Sequence, residues 1–170
     1  MVECQKCLDP TAFGLFLVAT VSLPLALWQL IGVNDVYGLP TADFFKLIGI
    51  LILAVAFLAY RSDSNFGFIV FGLVGAAVAM TGFGMGAWEN ITFALMFVLA
   101  IIWSLFVKTP KNLSLILVTT TLVFLVVGLI QLDVITGDSA HWILGIVALF
   151  NFLFNIFMAY ALATEKLPVF

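Results

Sequence analysis

Charged residues are scarce in this 170-residue chain, which has six Lys and Arg residues and nine Asp and Glu residues. They make up 9% of the sequence, whereas a soluble domain is typically about a quarter charged. Hydrophobic residues account for 65%, which is more than ordinary folding can bury, so we expect lipid to surround most of the chain. Six scattered basic residues cannot form a basic patch, and we therefore expect no nucleic-acid partner.

Histidine and cysteine are scarce as well. The only histidine is His141, and the only cysteines form Cys4-Gln5-Lys6-Cys7 near the N-terminus. A single Cys-x-x-Cys is half a zinc site or a redox pair without its usual context, and we favour a tail with two reduced thiols. The sequence has no cluster of His, Cys and carboxylates, no glycine-rich phosphate loop and no nucleophile with a nearby base. It therefore predicts no enzyme, no cofactor and no metal.

Six hydrophobic runs are long enough, or nearly so, to cross a membrane, which takes about 20 apolar residues. They are Ala12–Val33, Asp43–Tyr60, Phe66–Trp88, Ile91–Val107, Leu113–Leu132 and His141–Ala163. Residues 1–11 lack the features of a secretory signal, so we expect the first run to remain as a membrane helix. The pattern predicts an all-α membrane domain of six helices over residues 12–163, with cytoplasmic tails at 1–11 and 164–170.

Basic residues concentrate on one predicted face of this domain. That face holds Lys6, Arg61, Lys108, Lys111 and Lys166. The opposite face holds Asp35, Asp43, Glu89, Asp133 and Asp138. Because basic residues favour the cytoplasmic side, we expect a plasma-membrane protein with both termini in the cytoplasm. Lys46 is the exception, and we interpret it as a snorkelling lysine paired with Asp43 rather than as an anion attractor.

A short stretch recurs three times at intervals of about fifty residues. Its copies are Asp9–Leu15, Ser62–Phe68 and Thr109–Leu115. Each begins with a residue suited to cap a helix start, followed four positions later by a large apolar, a small and another large apolar residue. The pattern predicts three parallel two-helix repeats around a central passage. The alternative is that helices starting on the same side simply need similar caps.

The odd-numbered helices would present equivalent faces to this passage. Counting from Phe13, Phe66 and Leu113 at about 100° per residue, each face carries the residues one, five and eight positions later. These are Gly14, Gly67 and Ser114, then Val18, Phe71 and Val118, then Val21, Val74 and Thr121. They predict a small-residue mouth and an apolar constriction that gates by dewetting, while the three helix starts favour anions. The alternative is that these side chains only pack or face lipid.

Polar side chains inside the predicted spans are few, and ionisable ones are absent apart from Lys46 near one end. This favours a channel, a facilitator or a symporter whose substrate carries the proton. We interpret Asn151 and Asn155 as partners in hydrogen bonds between helices, and Thr119–Thr121 as bonded to their own backbone. A stripe of small residues on the third helix predicts close packing of helices or subunits. It consists of Gly72, Gly75, Ala76 and Ala79.

These residues resemble the acetate uptake transporter family, also called succinate–acetate permeases. Asp9-Pro10-Thr11-Ala12-Phe13-Gly14-Leu15 is similar to the family signature Asn-Pro-Ala-Pro-Leu-Gly-Leu, and departs from it at Asp9 and Ala12. Tyr60-Arg61, Asn65-Phe66-Gly67 and Glu165-x-Leu167-Pro168 also match. The residues that narrow the family's pathway align with Val18, Val74 and Val118 to Thr120, and its helix-two glutamine aligns with Ile52.

The resemblance implies a hexamer of six-helix protomers in membrane lipid, each with its own pathway for small monocarboxylates and dicarboxylates. Together with the helix faces, it predicts which residues form the substrate pathway. They are Asp9, Pro10, Phe13, Gly14, Val18, Phe66, Gly67, Phe71, Val74, Ser114, Val118 and Thr121. We expect a transporter or channel for acetate-like or succinate-like carboxylates, with or without a proton. The alternatives are a channel for small neutral solutes such as urea or amides, and a membrane scaffold that transports nothing.

Overall fold

The computed structural model describes residues 10–31 and 41–164. The regular elements there are six helices, each long and apolar enough to cross a membrane. They are α1 (Pro10–Ile31), α2 (Ala42–Arg61), α3 (Asn65–Gly82), α4 (Ala87–Val107), α5 (Lys111–Gln131) and α6 (Asp138–Thr164). The predicted all-α architecture with six membrane helices is confirmed.

The helices form a closed ring. Each packs against the helix before and after it in the chain, and α6 returns to pack against α1. Among the odd-numbered helices, α1 touches α3 only slightly, and the described parts of α1 and α3 make no backbone contact with α5. The ring therefore leaves space at its centre. The three-fold repeat itself remains a prediction.

Glycines bring α2 and α3 into close contact. A Cβ atom placed on Gly49 would clash with the backbone of Ala79, and one on Gly75 would lie 2.8 Å from the backbone nitrogen of Leu53. Only glycine fits at these two positions without moving the neighbouring helix. The predicted packing role is confirmed for Gly75 and Ala79, whereas a Cβ on Gly72 would meet no atom within 4 Å.

The start of α3 differs from the predicted capping pattern. Ser62 closes α2, and Ser64 is the N-cap of α3, where its hydroxyl oxygen accepts a hydrogen bond from Gly67 N at 3.2 Å. The prediction that Ser62 caps this helix was wrong. The cause is Asp63, whose left-handed φ of 56° turns the chain between the two helices and moves the cap two residues along.

The start of α5 differs in a similar way. Thr109 was predicted as the cap, but its hydroxyl donates to the carbonyl oxygen of Ser104 in α4. Pro110 occupies the cap position without a side-chain bond, and the helix proper begins at Lys111. Lys108, with a φ of 55°, ends α4, and Thr109 directly after it bonds back to α4 rather than forward to α5.

Two other predicted boundaries move. Helix α3 ends at Gly82 rather than Trp88, because a glycine-rich turn follows in which Gly84 has a φ of 90°. Trp88 and Glu89 consequently belong to the first turn of α4. Helix α6 begins at Asp138, one turn before the predicted start, with this carboxylate in its first turn, where the helix dipole favours negative charge.

The two ends of the ring differ in charge. One end, the basic end, holds Arg61, Lys108 and Lys111 together with Asp63. The other, the acidic end, holds Asp43, Glu89, Asp133 and Asp138, with Lys46 as the one Lys or Arg among its described residues. Lys46 Nζ lies 3.1 Å from Asp43 Oδ1 and 5.1 Å from the centre of the Phe83 ring, so its predicted pairing is confirmed. The basic end is the one predicted to face the cytoplasm.

Candidate functional site

Two cavities lie inside the ring, one towards each end. The basic-end cavity has a volume of about 210 Å³, and the acidic-end cavity has a volume of about 330 Å³. Val18 of α1, Val74 of α3 and Thr120 of α5 border both cavities, and we call these three residues the junction. One buried water needs a cavity volume of only about 10–15 Å³, so each of the two cavities has room for a small solute.

The starts of three helices surround the basic-end cavity. Thr11 of α1, Gly67 of α3 and Leu113 of α5 border it, and each lies in the first turn of its helix. A helix start presents free backbone N–H groups and the positive end of the helix dipole, which favour anions. The structure therefore brings the three predicted helix starts to one cavity.

Phe71 forms part of the basic-end wall, and Gly14 makes room for its ring. Phe71 is buried, with an exposed fraction of 3%. A Cβ atom on Gly14 would lie 2.6 Å from Phe71 Cε1 and 2.8 Å from Val55 Cγ1, closer than real Cβ atoms approach. A larger residue at position 14 would therefore force the Phe71 ring to move.

Asn151 joins α1, α5 and α6 beside the junction. Its Oδ1 accepts a hydrogen bond from the Ser22 hydroxyl at 2.7 Å, and its Nδ2 donates to the hydroxyls of Thr119 and Thr120 at 2.9 and 2.8 Å. The two threonine hydroxyls donate in turn to backbone carbonyls of α5. The predicted interhelical role of Asn151 and the predicted backbone bonding of the threonines are confirmed.

Asn155 contributes an unpaired acceptor to this region. It is fully buried and borders the basic-end cavity. Its Nδ2 donates to the backbone oxygen and the Oδ1 of Asn151, both on its own helix, whereas its Oδ1 has no hydrogen-bond partner. The predicted interhelical role was therefore wrong for Asn155. A buried polar atom without a partner costs about 1–3 kcal/mol. The packed wall covers this oxygen, so a solute in the cavity does not reach it.

The acidic-end cavity has two pairs of polar side chains in an otherwise largely apolar wall. His141 Nδ1 of α6 lies 2.7 Å from Gln29 Oε1 of α1. Asn90 Nδ2 of α4 donates to Gln131 Oε1 of α5 at 3.0 Å, and Gln131 Nε2 donates to the carbonyl oxygen of Met85. Within the described residues, His141 is the only Asp, Glu, Lys, Arg or His that borders either cavity.

The structure places five of the predicted pathway residues at a cavity wall. Val18 and Val74 border both cavities, and Phe66, Gly67 and Phe71 border the basic-end cavity. All five belong to α1 or α3, and Val21, on the predicted α1 face, borders the acidic-end cavity. The helical spacing thus predicted the inward faces of these two helices.

The remaining predicted residues at the start of α1 lie elsewhere. Pro10 and Phe13 do not border a cavity, and the Phe13 side chain is 55% exposed on the outside of the ring. Gly14 lies behind the Phe71 ring rather than in a cavity wall. Asp9, like Cys4 and Cys7, is outside the described residues.

The predicted inward face of α5 was wrong. Ser114 faces α4, where its hydroxyl lies 3.2 Å from that of Ser104. Val118 is 38% exposed, and Thr121 bonds the backbone of its own helix without bordering a cavity. The residue at the junction is Thr120, one position before Thr121, and one position turns a side chain by about 100°. The three repeats therefore do not present equivalent positions at the junction.

The polar residues of the acidic-end wall are not among the pathway residues predicted from the sequence. Gln29, Asn90 and Gln131 are amides in the first or last turns of membrane helices, and His141 lies in the first turn of α6. The signal that singled out Asn151, a polar side chain in or beside an apolar run, applies to these residues too.

The comparisons with known proteins bear on the helix arrangement. No protein-family model matches the chain, and no curated protein matches it in sequence. Among solved structures, the chain is similar to that of the bacterial acetate channel SatP, with a TM-score of 0.72 and 14% sequence identity. The alignment covers 95% of this chain and 98% of that one. The two proteins share a fold. At this identity the likeness concerns the path of the helices and not the side chains of the cavity walls.

Proposed function

We propose that the protein is a membrane channel or transporter for small carboxylates of the acetate or succinate type. The observation that carries this proposal is the pair of cavities that meet at Val18, Val74 and Thr120 inside a ring of six membrane helices. The fold shared with an acetate channel supports it. The internal cavities also weigh against a scaffold that only packs helices.

In this proposal the two ends of the ring contribute differently. At the basic end, Arg61, Lys108 and Lys111 and the starts of α1, α3 and α5 attract a carboxylate. At the junction, two valines and a threonine whose hydroxyl is bonded to Ile116 O form a narrow, weakly polar segment. Such a segment gates by losing its water.

A proton that moves with the substrate would travel on the substrate itself. In the described parts of the chain, the Asp, Glu, Lys, Arg and His side chains lie near the ends of the helices or between them. No such side chain is therefore placed in the middle of the ring to relay a proton. A symport mechanism would move the undissociated acid through the junction.

A channel for small neutral solutes is the second candidate, and the bonded threonine hydroxyls beside the junction favour it. The hydroxyls of Thr119 and Thr120 are already committed to backbone carbonyls, so they offer an anion no donor. A carboxylate channel and a neutral-solute channel would use the same passage and would differ in the charge of the solute.

The resemblance to the acetate uptake transporter family and the charge pattern support three further proposals. They are assembly into hexamers with one pathway in each protomer, residence in the plasma membrane, and both termini in the cytoplasm. The charge difference between the basic and acidic ends supports the last of these.

Comparing acetate with acetamide tests the proposed substrate class, because the two solutes have nearly the same shape and differ in charge. We expect purified protein in liposomes to pass labelled acetate faster than labelled acetamide. The assay is run at about pH 7.5, roughly three units above the pKa of an aliphatic carboxylic acid, so that passive leak of the neutral acid is small. Liposomes without protein give the remaining leak. Acetamide flux equal to or above that of acetate would contradict the carboxylate proposal and favour the neutral-solute channel.

A further inference from the structure

The acidic-end cavity contains a side-chain pair to which the proposed passage gives no role. His141, in the first turn of α6, and Gln29, in the last turn of α1, both border this cavity. Their atoms Nδ1 and Oε1 are 2.7 Å apart, and Gln29 is buried, with an exposed fraction of 9%. An amide oxygen only accepts hydrogen bonds, so His141 Nδ1 carries the hydrogen and donates it.

This hydrogen bond determines what the other ring nitrogen does. With Nδ1 protonated, Nε2 of the neutral ring is an acceptor. When the ring gains a proton, Nε2 becomes a donor and the ring becomes a cation. Histidine is the side chain that ordinarily makes this change between about pH 5 and pH 8. Among the described residues of either cavity wall, His141 is thus the one whose side chain can become a cation.

The other charged groups at this end do not border the cavity. On α6, Asp138 lies one turn before His141, and Asp133 lies in the connection from α5. The described residues of α1 include no charged side chain, and α5 has none in its half nearest this end. The remaining described charges of the acidic end are Asp43, Lys46 and Glu89, on helices that do not pack against α6. Among the described residues, no carboxylate therefore borders this cavity to repel an anion.

The cavity also fits the rest of a small organic acid. Its volume of about 330 Å³ is at the low end of the range for ligand pockets, which is about 300–1,000 Å³. Leu25, Val123 and Val127 border it and offer an apolar surface to a short aliphatic chain. The amide NH₂ of Gln29 supplies a second donor beside the imidazole.

We propose that Gln29 and His141 bind the carboxylate group of a small aliphatic acid, and that binding strengthens when His141 is protonated. This proposal rests on the proposed function and adds to it a substrate site at the acidic end. The site binds carboxylate more tightly as the pH at the acidic end falls. Its affinity changes with pH even when the ionisation of the substrate does not.

Trifluoroacetate is a suitable probe, because its fluorines keep it ionised at every pH used. We would titrate it into the purified full-length protein, prepared without a histidine tag, and follow binding by ¹⁹F NMR. Measurements are made at about pH 5.5 and about pH 7.5, on either side of the usual histidine titration. We expect binding about 10- to 100-fold tighter at the lower pH, the effect of one hydrogen bond to a charged group. Acetate should displace the probe.

Two variants separate the charge of His141 from its packing. His141→Gln stays neutral, so it should bind weakly at both pH values. His141→Arg stays charged, so it should bind at both. Because the chain has a single histidine, selective ¹⁵N labelling of that residue gives one pair of ring signals. The Nε2 signal should move when trifluoroacetate is added at about pH 5.5, and this readout needs no variant to fold.

The outcomes distinguish this site from the proposed function. A wild-type protein that takes up acetate into liposomes, but binds the probe equally at both pH values without moving the Nε2 signal, would overturn the site and leave the function standing. A Nε2 signal that moves in a protein without acetate uptake would support the site and overturn the function. Unchanged pH dependence in folded His141→Gln would also overturn the site.

Discussion

Single side chains set the shape of the space inside the ring. The Phe71 ring occupies the basic-end wall only because residue 14, on the neighbouring helix α1, has no side chain. Val74 lies one turn further along α3 and borders both cavities. A shift of the Phe71 ring would therefore change the shape of the basic-end cavity beside the junction, and the size of residue 14 is coupled to that shape.

Gly14→Ala tests this coupling. The new methyl group would lie too close to Phe71 and Val55, so we expect the variant to lose about 1–3 kcal/mol of stability through overpacking and to pass less acetate. Gly72→Ala is the matched control, since its methyl group would meet nothing within 4 Å, and better helix propensity makes it neutral or up to about 1 kcal/mol more stable. Denaturant titration in detergent and liposome flux give the two readouts. Equal behaviour of the variants would refute the coupling.

At the scale of helices, polar side chains determine which elements are joined beside the passage. Asn151 links α6 to α1 through Ser22 and to α5 through Thr119 and Thr120. Asn155, one turn further along, bonds only to α6 itself. The two asparagines look alike in the sequence but make different contributions to the ring.

Replacing each asparagine by leucine measures this difference. Asn151→Leu removes the bonds to Ser22, Thr119 and Thr120, and at an average of about 0.6 kcal/mol for an interhelical bond we expect a loss of about 2 kcal/mol. Asn155→Leu removes bonds within one helix and an unpaired oxygen, so we expect a change within about 1 kcal/mol. The free energy of unfolding in detergent gives the comparison. A larger loss for Asn155→Leu would contradict the assigned roles.

The helix faces show how far the sequence predicts this site. Apolar length predicted all six spans, and helical spacing placed Val18 and Val74 on inward faces, because both features depend only on the chain itself. The predicted face of α5 failed because helical spacing shows which residues share a face but not which face turns inwards. That depends on packing against α4 and α6, where Ser114 meets Ser104 and Thr120 meets Asn151. The pairing of Gln29 with His141 also joins residues from opposite ends of the chain, so only the assembled ring reveals it.

For the whole molecule, the proposed transport requires that the two cavities belong to one passage. The ring shares its fold with an acetate channel, and its cavities meet at three side chains from three helices. Charge separates the two ends, so under the proposed function a carboxylate would meet basic residues at one end and His141 at the other. If solute passes through the ring, it passes the junction.

Acetate flux through Val74→Phe, compared with Val118→Phe, tests this claim most directly. Val74 lies at the junction with an exposed fraction of 4%, whereas Val118 is 38% exposed on the outside of the ring, and both substitutions add the same atoms. We expect Val74→Phe to lower protein-dependent acetate flux by about tenfold or more, which corresponds to about 1.4 kcal/mol in the barrier. Val118→Phe should retain the wild-type rate, and Val74→Ala should match or exceed it. Equal acetate flux in Val74→Phe and Val118→Phe would contradict the passage through the junction.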